Sequence, residues 1–306
     1  MHIAIMAAGS VGGYLGARLA AAGQQVSVIA RGKNLEAIEA NGLQVRSALG
    51  DVVAKPALAT SDPAEIGLAD VLIFTVKLWD LEEAAAACKP VIGDNTIVVP
   101  FQNGVEAVAA LGEILGVPHV MGGVAFISAG LPEPGVVQHN GEFANFLLGN
   151  PEGSPPATLT QFAEVCKRAG INAPIVPNIT TQIWKKLVFF AAFSGLTAAG
   201  RTNLGVIRND DDLFKVLKSA MEETAALGKA VGAGMDDDVV EATLDTMKSM
   251  PDQIRATMAF DLDAGRKLEA YWLSGAVGRI GAAHGVPTPV HDTLYAAVKT
   301  FAQGSG

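Results

Sequence analysis

Hydrophobic residues in the first half of the chain occur in short β-branched runs that alternate with alanine-rich amphipathic stretches. This spacing is typical of parallel strands joined by crossover helices. The predicted strands are His2–Met6, Gln25–Ile29, 71–75 and 96–99, and the predicted helices are 12–22, 34–40, 79–87 and 104–115. The pattern therefore predicts an α/β fold with a doubly wound parallel sheet of the Rossmann type.

The pattern changes after Val120. Alternating residues punctuated by Gly and Pro predict a small strand-rich extension with strands at 136–139 and 143–148, and a Pro-rich break at 150–156 precedes a helix at 158–169. From residue 179 onward nearly all signals are helical, with helices predicted at 179–192, 213–231, Val239–Met247, 253–264, 268–284 and 291–301. We therefore expect a Rossmann-like domain at 1–177 and an all-α domain at 178–306, with Asn178 as a candidate N-cap.

Composition narrows the class of protein. The 306 residues are 50% hydrophobic and 17% charged, which suffices for a large core and two domains. A net charge of −9 provides no basic surface for a nucleic-acid backbone. The longest apolar run, at 187–200, is too short to cross a bilayer. The absence of a signal-peptide pattern and the presence of only two cysteines lead us to expect a reduced, cytoplasmic protein.

The first candidate site is a glycine-rich turn that follows an apolar strand and precedes a helix. Its residues are Ala7, Ala8, Gly9, Ser10, Val11 and Gly12. A dinucleotide fingerprint lies in this context, with the pyrophosphate at the helix N-terminus. Ala7 replaces the first glycine, which is tolerable if its φ is negative and strained if it is positive. An ordinary glycine-rich turn is the alternative, but the context favours a dinucleotide site.

The end of the second predicted strand indicates which nicotinamide cofactor is bound. NAD enzymes place an acidic residue there, whereas NADP enzymes place a cation at the 2′-phosphate. Here the strand leads into Arg31 and Lys33, and no acid occupies the position. A guanidinium can donate two hydrogen bonds to a phosphate, so the sequence favours NADP over NAD, with an ordinary exposed arginine as the alternative.

These motifs resemble those of ketopantoate reductases, also called 2-dehydropantoate 2-reductases. The matching residues are AAGSVG at 7–12, Arg31, FTVK at 74–77, QNG at 102–104, WKK at 184–186 and GRKLE at 265–269. The resemblance covers nearly the whole chain. It implies NADPH-dependent reduction of ketopantoate to D-pantoate on the pantothenate pathway, by a Rossmann domain and a helical domain with a cleft between them.

Lys186 is the candidate catalytic residue. Hydride reduction of a ketone leaves an alkoxide that needs a positioned acid, and a lysine ammonium can provide the proton. The surrounding helix is otherwise apolar, so Lys186 either extends to the surface or turns inward for function, and Lys185 could be the residue that extends outward. Lys186, Phe190 and Ser194 lie four residues apart on one helix face and are candidate substrate contacts.

The resemblance implies further contacts. Lys77, Ser128 and Glu269 would contact the cofactor, Asn103 would contact both cofactor and substrate, and Thr257 would contact the substrate carboxylate. Each has a structural alternative, such as a solvated lysine, an N-cap for Asn103 or a first-turn glutamate for Glu269. An unpaired buried carboxylate is costly, so Glu269 should have a partner. The four histidines and two cysteines considered as ligands show no metal-ligand spacing, and no metal is expected.

Two departures from the family leave the substrate open. Phe190 and Ser194 stand where family members have asparagines, and Ile254 stands near a third such position. A more apolar 2-keto acid would suit Phe190, so an NAD(P)-dependent D-2-hydroxyacid dehydrogenase is the alternative enzyme. A non-catalytic NADP-sensing protein is the alternative of another class, which Lys186 and Glu269 oppose. The oligomeric state also stays open, with a homodimer as one option.

Overall fold

The computed structural model describes residues 1–304, which divide into two compact units. The first unit comprises Met1–Gln102 and Ala107–Ile179, and the second comprises Asn103–Glu106 and residues 180–304. The short segment 103–106 therefore belongs by its contacts to the second unit, although the residues on both sides of it belong to the first.

The first unit contains nine strands and five helices among its described residues. In chain order they are β1 His2–Met6, α1 Ser10–Ala21, β2 Gln25–Ile29, α2 Gly32–Asn41, β3 Leu43–Arg46, β4 Val52–Ala54, β5 Leu58–Thr60, β6 Val71–Phe74, α3 Leu81–Ala87, β7 Ile97–Pro100, α4 Ala107–Leu115, β8 Gly122–Glu133, β9 Val136–Gly149 and α5 Ala157–Arg168.

Five of these strands form an all-parallel sheet in the order β5-β2-β1-β6-β7. Ile3 on the central strand β1 is paired with Val26 on one side and Val71 on the other. The strands are continuous apolar runs because both faces of the sheet are covered. The chain builds the sheet outward from β1 to one edge and then from β6 to the other, so β1 and β6 form a topological switch point. Ligands bind at the carboxyl ends of the strands at such a point.

The remaining strands form a second sheet in the order β4-β3-β9-β8. The predicted strands at 136–139 and 143–148 are one continuous strand, β9, which pairs with β8 across an irregularity between Ile127 and Ala129. The sequence pattern did not predict β3, β4, β5 or β8, because β-propensity depends on how a strand packs against its neighbours as well as on its own residues.

The second unit is helical. Its helices are α6 Ile179–Ala199, α7 Leu204–Asn209, α8 Asp211–Ala230, α9 Val239–Met247, α10 Thr257–Asp263, α11 Ser274–His284 and α12 Pro289–Val298. Apolar side chains of α6 contribute to two separate cores, one with Val188 and Leu217 and the other with Leu187 and Leu227. Burial on several faces explains why α6 is apolar almost all round.

Two helix predictions for the second unit need correction, and one helix was missed. The helix expected at 253–264 begins only at Thr257, because the carbonyls of Asp252 and Ile254 accept hydrogen bonds from the first turn of α7. The stretch 268–284 is a 3-10 turn at Ala270–Trp272 followed by α11, and Leu273 between them has ψ −104°, outside the helical region. The short helix α7 was not predicted.

The two-part architecture confirms the predicted fold class, a doubly wound parallel sheet followed by an all-α part. Across residues 1–304, no helix has both the length and the apolar character needed to span a membrane.

Candidate active site

The turn between β1 and α1 has the shape of a phosphate-binding site. Gly9 precedes the first residue of α1 in extended conformation, and its carbonyl accepts the N–H of Gly13. A helix of this geometry leaves its first N–H groups without intrahelical partners. A side chain at Gly9 would meet nothing within 4 Å, so the backbone is open to an approaching group. These features fit the pyrophosphate of a dinucleotide.

Ala7 has a positive φ, which is the strained of the two possibilities that the sequence left open for this residue. Its φ is +73°, in the left-handed region that favours glycine. The turn is held by its neighbours, since the Thr75 hydroxyl donates to the Ala7 carbonyl at 2.7 Å and the Asn34 amide donates to the Ala8 carbonyl at 2.9 Å. A Cβ on Gly12 would lie 2.3 Å from the Ala7 oxygen, so only glycine fits at position 12.

Arg31 lies two residues after the end of β2 and directly precedes the first residue of α2. Its side chain is 68% exposed, and one guanidinium nitrogen lies 4.0 Å from a carboxylate oxygen of Glu83, which is itself 81% exposed. Lys33 is also exposed. The guanidinium is accessible to a phosphate, but the nearby Glu83 is an acidic neighbour that the sequence did not reveal, because α3 lies about fifty residues away in the chain.

Two more residues predicted to contact the cofactor, Lys77 and Ser128, lie in the first unit, as does Gln102 of the QNG motif. Lys77 follows β6, and its ammonium lies 5.6 Å from the centre of the Trp79 ring. Ser128 is exposed at the irregularity in β8. Gln102 was assigned no role from the sequence. Its side-chain amide donates to the Val76 carbonyl, while its own buried Oε1 lacks a hydrogen-bond partner within residues 1–304. Its place in the QNG motif could have identified it.

Lys186 is the centre of the site in the helical unit. Its Nζ donates to Oδ1 of Asn103 at 3.0 Å and lies 5.5 Å from the centre of the Phe190 ring. Burial lowers the pKa of Lys186 to about 8, and the carboxylate of Glu269 opposes this effect. A lysine with such a pKa can exchange a proton near neutral pH.

The neighbouring lysine has a different environment. Lys185 extends outward and forms an ion pair with Asp236, a pair with both side chains partly or largely exposed. The two lysines of the WKK motif therefore differ in their partners, because Lys186 donates to Asn103 and Lys185 donates to Asp236.

Glu269 is only 8% exposed and directly precedes the 3-10 turn Ala270–Trp272. Its electrostatic interaction with Lys186 agrees with the expectation that a buried carboxylate has a partner. The structure thus brings Asn103, Phe190 and Glu269 to Lys186, although Asn103 and Glu269 lie far from it in the chain.

The other two substrate candidates differ in exposure. Ser194, two turns along α6 from Lys186, is fully buried, and its Oγ has no hydrogen-bond partner in the described part of the chain. Thr257 is the exposed first residue of α10. Their contact with a substrate stays a prediction. Among residues 1–304, no group of three or more His, Cys, Asp and Glu side chains could hold a metal ion.

A Rossmann-type unit with a phosphate-binding turn, followed by a helical unit that contains a partly buried lysine of lowered pKa, is the arrangement of a nicotinamide-dependent oxidoreductase. Comparison with known proteins narrows this class. The family model described as ketopantoate reductase PanE/ApbA matches residues 3–153, and the model for its C-terminal part matches residues 178–302. The chain belongs to the ketopantoate reductase family, whose members are NADP-dependent oxidoreductases.

Individual relatives agree with this assignment. The chain is 31% identical to 2-dehydropantoate 2-reductase of Mesorhizobium japonicum over 329 aligned positions, which cover 100% of this chain and 99% of the relative. The crystal structure of a PanE/ApbA family ketopantoate reductase from Ralstonia eutropha JMP134 superposes with a TM-score of 0.90 at 32% identity, covering 99% of this chain and 98% of that one.

D-mandelate dehydrogenase, solved with NADH and anilino(oxo)acetate, has the same fold, with a TM-score of 0.87 at 24% identity over 99% of this chain and 98% of that chain. The predicted family and the predicted enzyme class are confirmed.

Proposed function

We propose that the protein catalyses the NADPH-dependent reduction of a 2-keto acid, with 2-dehydropantoate as the first candidate and D-pantoate as its product in pantothenate biosynthesis. The observation that carries the proposal is the hydrogen bond from the Nζ of the partly buried Lys186 to Asn103, at 3.0 Å. Desolvation lowers the pKa of this lysine to about 8. The relative from Mesorhizobium japonicum is named for the same reaction.

Lys186, Asn103 and Glu269 together hold one proton and position it for transfer to the substrate. When bound, NADPH supplies the hydride that reduces the ketone. Lys186 holds a proton at Nζ and donates it to the alkoxide oxygen of the product. Asn103 orients the ammonium through its Oδ1. Glu269 raises the pKa of Lys186 against the effect of burial, so that most of the lysine stays protonated at neutral pH.

The first unit supplies the features that would hold NADPH. The turn 7–12 provides unpaired backbone N–H groups for the pyrophosphate, and Arg31 offers an exposed guanidinium for the 2′-phosphate. Lys77 and Ser128 are further proposed cofactor contacts. The Arg31 guanidinium supports a preference for NADPH over NADH, whereas the nearby Glu83 carboxylate would weaken that preference by repelling the phosphate.

A second candidate is a reductase for a more apolar 2-keto acid. The Phe190 ring lies beside the Lys186 ammonium, and the Ser194 hydroxyl is buried without a partner in residues 1–304. Each buried hydrogen bond that a polar substrate loses costs on the order of 1 kcal/mol. An aromatic ring next to the proton donor thus favours an acid whose carbon chain is larger or less polar than that of ketopantoate.

The test is a steady-state assay of the purified protein with NADPH against ketopantoate and a panel of branched and aromatic 2-keto acids. A kcat/KM for ketopantoate at least as high as for the other acids supports the first candidate, and a preference for an aromatic or branched acid supports the second. Tight NADPH binding without cofactor oxidation by any 2-keto acid would reject both in favour of a sensor.

A further inference from the structure

Arg279 connects two chain segments that carry the partners of Lys186. Its guanidinium lies on α11 and donates from Nη2 to both carboxylate oxygens of Glu106, at 3.0 and 2.9 Å. Its Nη1 donates to the backbone carbonyl of Tyr271 at 2.6 Å. The same guanidinium stacks on the Tyr271 ring, with its central carbon 3.5 Å from the ring centre. One side chain thus satisfies three acceptors and an aromatic face.

The first of these segments is 103–106. Glu106 lies three residues after Asn103, which accepts the hydrogen bond from Lys186. The segment belongs by its contacts to the helical unit, although its neighbours in the chain belong to the other unit. Val105 packs against the core of the helical unit that contains Trp184 and Leu187. The ion pair in which Nη2 of Arg279 donates to both Glu106 oxygens is therefore a polar anchor of a segment that departs from its own sequence neighbours.

The second segment is the turn that contains Glu269. Tyr271 lies two residues after Glu269, within the 3-10 turn Ala270–Trp272, and the Trp272 N–H donates to the Glu269 carbonyl at 3.0 Å. Arg279 holds this turn from outside, through both the carbonyl and the ring of Tyr271. A fork-shaped, planar guanidinium suits this double task better than an ammonium, because its donors point in fixed directions.

We propose that Arg279 is a positioning residue for the reaction: by binding Glu106 and Tyr271 together, it places Asn103 and Glu269 around Lys186. The inference rests on the proposed function, because it assigns proton donation to Lys186. The effect should be on rate more than on stability. Partly exposed ion pairs contribute little to stability, whereas displacement of a catalytic group by about 1 Å can lower a rate about 100-fold.

The test compares Arg279→Lys, Glu106→Gln and the double variant with a matched control, Glu241→Gln. Glu241 forms an ion pair of 2.6 Å with Lys218 in the same helical unit, so the control removes a comparable charge pair outside the site. Arg279→Lys keeps the positive charge but replaces the planar guanidinium, so it distinguishes the effect of the fixed donor geometry from the effect of net charge. Thermal unfolding of all variants shows whether they are folded.

We expect Arg279→Lys and Glu106→Gln each to lower kcat by about 10-fold or more, while the Kd for NADPH measured by fluorescence stays at the wild-type value. The double variant should be little worse than Arg279→Lys alone, because Arg279→Lys already disturbs the contact with Glu106 as well as the contacts with Tyr271. Hydrogen exchange should accelerate in peptides that cover 103–106 and 269–272. The control should change neither kcat nor exchange.

Two results would overturn the inference: kcat of both single variants within twofold of wild type, or unchanged exchange in the two segments. A wild-type protein that reduces no 2-keto acid would instead refute the proposed function. In that case the exchange experiment still decides whether Arg279 holds the two segments, because it does not require turnover.

Discussion

The pH dependence of the reaction tests the role assigned to Lys186. With a pKa of about 8, Lys186 is mostly protonated at pH 7 and can act as an acid. Above pH 8 the protonated fraction falls about tenfold per pH unit, so kcat/KM for reduction should be level below pH 8 and about 100-fold lower at pH 10. An unperturbed lysine would place this decline near pH 10.5 instead.

Two variants sharpen the prediction. Glu269→Gln removes the carboxylate that raises the pKa of Lys186, so the decline should begin at a lower pH. Lys186→Ala should lower kcat by about 10²- to 10⁴-fold and remove the decline altogether. Lys185→Ala is the matched control, because Lys185 is paired with Asp236 at the surface, and it should keep the wild-type profile.

The assay is initial-rate kinetics of NADPH oxidation between pH 6 and pH 10 with the best 2-keto acid of the panel. Full turnover by Lys186→Ala would refute the assignment of the proton donor. A decline at the same pH in wild type and Glu269→Gln would refute the electrostatic coupling of Glu269 to Lys186.

Further predictions concern the cofactor, the substrate, the turn and a buried histidine. Arg31→Ala should weaken NADPH binding about 10- to 100-fold, the value of a hydrogen bond to a charged group, and affect NADH much less; fluorescence titration with both cofactors checks this, and equal losses would contradict it. Phe190→Asn should shift the ratio of kcat/KM values toward ketopantoate and away from aromatic 2-keto acids by about 10-fold, and an unchanged ratio would remove Phe190 as a determinant of specificity. Ala7→Gly should raise the free energy of unfolding by about 0.5 kcal/mol, because relief of a positive φ outweighs the added freedom of glycine in the unfolded chain; urea unfolding measures it, and a loss of stability would contradict the strain. His291 is fully buried, and burial lowers its pKa to about 4. In the unfolded chain the pKa of this imidazole is about 6.5. The free energy of unfolding that depends on neutral His291 is therefore complete above pH 6.5 and is lost as the pH falls toward 4, by about 3 kcal/mol in total. His291→Asn should lack this part of the pH dependence when the free energy of unfolding is measured in urea at pH 7 and pH 4.5. An equal change in that free energy between the two pH values in wild type and variant would disprove the prediction.

Local signals in the sequence were sufficient for the first half of the cofactor site. β1 and β2 are five-residue strands of mostly apolar residues, and the turn, helix and Arg31 that accompany them lie within the first 31 residues. Their pattern depends on backbone preferences and on burial of both sheet faces, which neighbouring residues encode. Lys186 was predicted from the WKK motif that the chain shares with the family, together with the unusual position of an ammonium group in an apolar helix.

Other features depend on residues that are distant in the chain. The strained φ of Ala7 is supported by Thr75, the acidic neighbour of Arg31 comes from α3, and the second sheet pairs β3 with β9. A sequence pattern records the character of a residue but not its partner across 50 or more positions, so none of these was predictable.

The sequence by itself determined that the chain has a sheet of the dinucleotide-binding type, a helical second half and a lysine, Lys186, within an apolar helix. Only the tertiary structure decided which groups surround that lysine, because Asn103 is brought to it by a four-residue segment that joins the helical unit and Glu269 by a turn where a predicted helix is interrupted. The pKa of Lys186 depends on the burial and charges that these contacts create, and they are properties of packed neighbours rather than of chain order.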